Sequence, residues 1–154
     1  MIYWSFIFLF YVLPYSNQTV ADSIVQVTVP EVIVHAGKSG VINVHVSVKK
    51  GYHIQANKVN DEFIIPTTIE IDTHQMITTG EETFPLSKKF KLEGTSDYLP
   101  VYDGNFKIII PFKADEKAKK EKFKLEAKLH YQACDARTCF FPVTVSFSVP
   151  IKVL

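Results

Sequence analysis

From Val25 onward, apolar residues recur at every second position along most of the chain, the period of strands with one buried and one wetted face. Val25, Val27 and Val29 alternate with polar partners, and Glu31–Ala36 follows after Pro30. Gly37–Gly40 reads as a turn, after which Ile42, Val44, Val46 and Val48 share a face opposite Asn43, His45 and Ser47. Lys49-Lys50-Gly51 turns the chain into Tyr52–Ala56, and Ile69 and Ile71 alternate with Thr68, Glu70 and Asp72. Phe90 and Leu92 mark a further strand, and Asp103-Gly104 is a strong hairpin signal leading into Phe106, Ile108, Ile110 and Phe112. In the last two strands Phe123, Leu125, Ala127, Leu129 and Tyr131 form one face, and Val143, Val145, Phe147, Val149 and Ile151 repeat the pattern. Only Ala133–Pro142 lies between them, so they should pair as an antiparallel hairpin. The one helix-like segment, Ala114–Lys122 (ADEKAKKEK), has no apolar stripe and reads as a solvated connection. Pro66, Pro85, Pro100 and Pro111 fall at or near expected strand ends. Eight or nine short strands with frequent turns specify an all-β antiparallel sandwich.

The first 21 residues carry no charge, and Ile2–Leu13 is apolar apart from Ser5. Twelve residues rise only about 18 Å as a helix, short of the roughly 30 Å hydrocarbon core of a bilayer. Pro14 ends the run, and a polar stretch follows with Thr19 and Ala21 at the −3 and −1 positions. This pattern predicts a secretory signal peptide over 1–21, cleaved to leave a domain over 22–154, although no Lys or Arg precedes the apolar run. The expected location is periplasmic or secreted, with the processed domain soluble. Lys and Arg total 17 against 16 Asp and Glu, for a net charge of +1, which removes the electrostatic case for nucleic acid.

The only cysteines are Cys134 and Cys139, too few for a disulfide-dense scaffold or a four-cysteine zinc site. They flank the turn between the last two strands, where a disulfide across the hairpin is geometrically reasonable. As a staple it does little: closing six residues is worth roughly 2.2 kcal/mol by chain entropy, against about 3 for fifteen. The other reading is thiol–disulfide exchange, in which an exposed short loop admits an attacking thiolate. Arg137 would then stabilise a leaving thiolate and Asp135 oppose it. Spacing alone leaves both readings open, since C-x4-C is not itself a redox signature.

Tyr131–Cys139 (YQACDARTC), followed by Pro142, and Gly51–Asn57 (GYHIQAN) upstream resemble the N-terminal periplasmic domain of the thiol:disulfide interchange protein DsbD, over about Ile24–Val153. The Tyr-Gln-x-Cys approach to the cysteine loop is the more specific part. The resemblance implies an immunoglobulin-like sandwich whose Cys134/Cys139 pair carries reducing equivalents, a protein-disulfide reductase activity without a cofactor. It also implies that Cys139 forms the mixed disulfide with the partner. In that family electrons come from a membrane-embedded reductase through a thioredoxin-like domain and pass to periplasmic thioredoxin-fold proteins. This sequence carries neither the transmembrane nor the thioredoxin-like part, so a membrane thiol reductase would donate in trans. Its cysteines enclose four residues where the best-studied member has five. The family shields its disulfide with a cap loop, for which Leu92–Tyr102 is the counterpart here and Tyr98 the lid, with Phe90 assigned to the core.

Tyr52, Tyr131 and Phe140-Phe141 are further candidates for the surroundings of the pair. His45, His53 and His130 alternate with apolar neighbours and read as solvated surface histidines. A metal carrier using Cys134, Cys139 and His130 is a weaker alternative, because no close ligand spacing recurs. A secreted binding module with a purely structural disulfide is the main competing function.

Overall fold

The alternation folds into twelve strands in a computed structural model that describes residues 24–59 and 63–154. The leader expected over 1–21 lies outside these residues. The strands are β1 (Val25–Thr28), β2 (Val32–Val34), β3 (Ser39–Val48), β4 (His53–Gln55), β5 (Thr68–Ile71) and β6 (Ile77–Thr79). They continue with β7 (Lys88–Phe90), β8 (Leu99–Tyr102), β9 (Asn105–Ala114), β10 (Lys122–Tyr131), β11 (Ala133–Cys134) and β12 (Val143–Val153). No helix occurs among the described residues.

Three four-stranded sheets result, ordered β1-β3-β9-β6, β2-β12-β10-β5 and β11-β4-β8-β7. Every strand pairing is antiparallel except that of β12 with β2. The long pairs β3–β9 and β10–β12 carry the two main faces of an immunoglobulin-like sandwich. Ile42, Val44 and Val46 of β3 and Ile108 and Ile110 of β9 join Leu125, Ala127 and Leu129 of β10 and Val149 and Ile151 of β12 in one buried cluster. Burying each Val, Leu or Ile contributes about 1.5–3 kcal/mol relative to exposure. Ile54, Ala56, Tyr102 and Ala133 of the third sheet and its margins belong to the same cluster, so this sheet is tied to the sandwich core.

The predicted hairpin of the last two strands forms, with Tyr131 opposite Val143 at its loop end. Ala114–Lys122 is a connection, as its charge pattern requires, with its first and last residues taken into β9 and β10. Other expectations change. Asp103-Gly104 does turn the chain, with Gly104 at φ 60°, but β8 and β9 belong to different sheets. The turn is a corner: β8 pairs with β4 and β7, while β9 continues between β3 and β6. Leu92 falls past the end of β7. Pro111 lies inside β9, with its carbonyl accepting from Gly80 N on the side where β6 has already ended, so no ladder donor is lost.

Candidate functional site

β10 ends at Tyr131, and after Gln132 the chain leaves its hairpin partner to form β11, which pairs with β4. Ala133 lies opposite Ile54, and Cys134 opposite His53. The cysteine loop is therefore more than a turn between β10 and β12: it is laid onto the third sheet. Cys134 and Cys139 are disulfide-bonded across it, with their Cα atoms 3.9 Å apart. Phe140 N donates to Ala133 O at 2.7 Å and Asp135 N to Thr138 O at 2.9 Å, which closes the loop. The Asp135 carboxylate accepts from Arg137 N at 2.7 Å and Thr138 N at 2.8 Å. These two backbone donors hold the Asp135 carboxyl below its ordinary range.

The two sulfurs occupy different environments. Cys134 is fully buried, whereas Cys139 is half-buried at the loop's outer end. Gln55, 0 % exposed, donates through Nε2 to Cys134 Sγ at 3.0 Å and lies 3.6 Å from Cys139 Sγ. Its backbone is fixed on both sides, with N donating to Gln132 O at 3.0 Å and O accepting from Thr67 Oγ1. Its Oε1 is buried without a hydrogen-bond partner. His53, read from the sequence as a solvated surface residue, is half-buried, with its ring centroid 3.7 Å from that of Phe90. Its Nε2 is buried and unpartnered. The Phe90 ring explains the difference, since it covers the face of the third sheet from which His53 projects.

The Leu92–Tyr102 segment meets the cysteine loop at Glu93, whose N donates to Ala136 O at 2.9 Å. The Glu93 carboxylate also takes the Arg137 guanidinium at 3.1 Å, between side chains that are mostly exposed. Such a pair is worth about 0–1 kcal/mol. Tyr98 is 62 % exposed, with Lys91 Nζ 5.8 Å from its ring centroid. Tyr131 is buried in the core cluster, where desolvation raises its hydroxyl pKa. Tyr52 packs its ring 6.1 Å from that of Phe140, and Phe141 beside it is 91 % exposed. His130 stays on β10, its Nδ1 2.8 Å from Thr144 Oγ1 and its Nε2 3.5 Å from Glu70. Among the described residues, no group of three or more His, Cys, Asp or Glu side chains is placed to hold a metal.

Four residues of this region had no assigned role in the sequence reading: Gln55, His53, Gln132 and Glu93. Gln132 bridges, accepting from Ile65 N at 3.0 Å and donating to Phe140 O at 3.1 Å. Both glutamines lie within the two motifs GYHIQAN and YQACDARTC, which was the available signal.

Comparison with known families matches residues 21–151 to the family described as thiol:disulfide interchange protein DsbD, N-terminal. No curated protein matches the sequence. Among solved structures, the N-terminal domain of DsbD from Neisseria meningitidis in its reduced form is 17 % identical. That match covers 74 % of this chain and 79 % of the other, with a TM-score of 0.43. The N-terminal periplasmic domain of ScsB from Proteus mirabilis is 14 % identical with a TM-score of 0.54, and the match covers 87 % of this chain. It spans 49 % of the ScsB domain, so this chain corresponds to about half of that structure, with which it shares its fold.

Proposed function

This chain belongs to the family of the N-terminal domain of the thiol:disulfide interchange protein DsbD, and from that premise we propose that it relays electrons between protein partners through Cys134 and Cys139. The observation that carries the proposal is the unequal exposure of the two sulfurs in one short loop. A partner thiolate reaches Cys139, breaks its bond to Cys134 and forms the mixed disulfide, and the electron pair leaves on buried Cys134. The partner's second thiolate then attacks its own sulfur in the mixed disulfide and releases Cys139. The partner leaves oxidised and the domain holds two thiols, which it passes on by the reverse sequence.

The partners are thioredoxin-fold proteins, and a membrane thiol reductase supplies electrons in trans. The reaction is that of a protein-disulfide reductase in the periplasm, following a leader cleaved near Ala21. Phe90, packed edge-on against His53, the residue opposite Cys134, is better placed than exposed Tyr98 to cover the inner side of the pair.

Single-cysteine variants test the relay. Cys134→Ala leaves the accessible sulfur without its resolving partner and should accumulate a mixed disulfide with a thioredoxin-fold protein. Cys139→Ala should accumulate several-fold less. Equal trapping by both, or none by either, contradicts the assignment, and the latter favours a binding module whose disulfide only ties the hairpin.

A further inference from the structure

Among the described residues, the fully buried polar side chains are Gln55 and Thr67, and Gln55 is the one in contact with the disulfide. A disulfide sulfur is a weak acceptor, so the oxidised bond makes poor use of the Gln55 amide. The other end of the same carboxamide, Oε1, is buried and unpaired, and unpaired buried polar groups are costly enough to be rare. A carboxamide so placed is under-used in the oxidised state and matched to the reduced one. We propose that Gln55 is a catalytic residue of the exchange, stabilising the Cys134 sulfur both as leaving thiolate and as thiol.

The inference rests on the exchange reading above and assigns the chemistry of its buried half. When a partner thiolate bonds to Cys139 Sγ, the Cys134–Cys139 bond breaks and its electron pair stays on Cys134 Sγ. That sulfur cannot be solvated, because Cys134 is fully buried. Gln55 Nε2, already 3.0 Å away, becomes a donor to an anion, a stronger bond than the one to a neutral sulfur. Once Cys134 Sγ takes up the proton that the partner thiol released on becoming the attacking thiolate, it becomes a donor itself. The terminal torsion of Gln is broad and roughly two-fold, so a half-turn exchanges Nε2 for Oε1 as the group facing the sulfur. The carbonyl then accepts the S–H. The amide is redox-silent throughout: the partner dithiol is oxidised, and the domain disulfide is reduced.

The test uses the full chain with dithiothreitol as the reductant, and thiolate absorbance in a Cys139→Ala background where only Cys134 titrates. Gln55→Leu removes both amide functions; it should slow reduction by about tenfold and raise the Cys134 titration midpoint by about one unit. Gln55→Glu keeps the shape, supplies a folded variant if the leucine variant is unstable, and should lose rate further as pH rises through its carboxyl titration. Wild-type rates and an unmoved Cys134 titration in the folded variants overturn the inference. Failure of the relay reads differently: the wild-type chain is then reduced by dithiothreitol, with the Gln55 effects intact, but captures no protein partner.

Discussion

At Cys134 and Cys139 one covalent bond joins two environments, a fully buried residue on β11 beside β4 and a half-buried one at the end of the loop. In the proposed exchange that difference makes Cys139 the sulfur attacked and Cys134 the one that departs. Arg137, the residue expected to stabilise a leaving thiolate, pairs with Glu93 at the surface, and the Asp135 carboxylate accepts from the loop backbone. Asp135 thus acts on the loop's shape. Its folded pKa is lowered by the Arg137 and Thr138 amides, so its contribution to loop stability is complete above the ordinary carboxylate value. That contribution is lost as pH falls through the lowered folded value. In an NMR titration, the Arg137 and Thr138 amide shifts should move with a midpoint below that of an unperturbed aspartate; a midpoint at or above it contradicts the arrangement.

On the scale of the strands, the sandwich depends on close approach between β3 and β9. A Cβ added at Gly40 would lie 2.6 Å from Phe112 Cζ, and Phe112 is buried with little freedom to give way. Gly40→Ala should therefore destabilise the fold by about 1–3 kcal/mol in chemical denaturation, and an unchanged midpoint would show that this packing is looser than described. The long strands were legible because their alternation is sustained: Ile42 to Val48 and Leu125 to Tyr131 face the core as the period requires. β4 was harder. Period two sets Gln55 on the face opposite Ile54, which in a half-exposed sheet means solvent, yet both are buried. The groups that meet Gln55 there are the Cys134–Cys139 disulfide and Thr67, and the disulfide comes from distant sequence. Asp103-Gly104 teaches the same lesson, since turn chemistry specifies a local bend and carries no information about which sheet receives the next strand.

For the molecule as a whole, the cysteine loop is where the sheets communicate: it leaves the β10–β12 hairpin, docks on β4 and is met by the segment after β7. The pair was legible from rarity and spacing, and its likeness to a known family pointed to exchange. Its setting was not legible, because the amide that faces it is supplied from 79 residues away. In the proposed relay, a net charge of only +1 leaves docking to shape and local contacts around the loop, where Tyr98, Phe140 and Phe141 are exposed. A sandwich with this much buried apolar surface does not need a six-residue staple, and in the proposed relay the bond's value lies in its reversibility. The most direct measurement is the reduction potential of the Cys134–Cys139 couple in the full chain, equilibrated against glutathione. Exchange with thioredoxin-fold partners predicts a value above about −300 mV, within the range spanned by those proteins. A value below about −300 mV marks a bond that resists reduction and contradicts the relay.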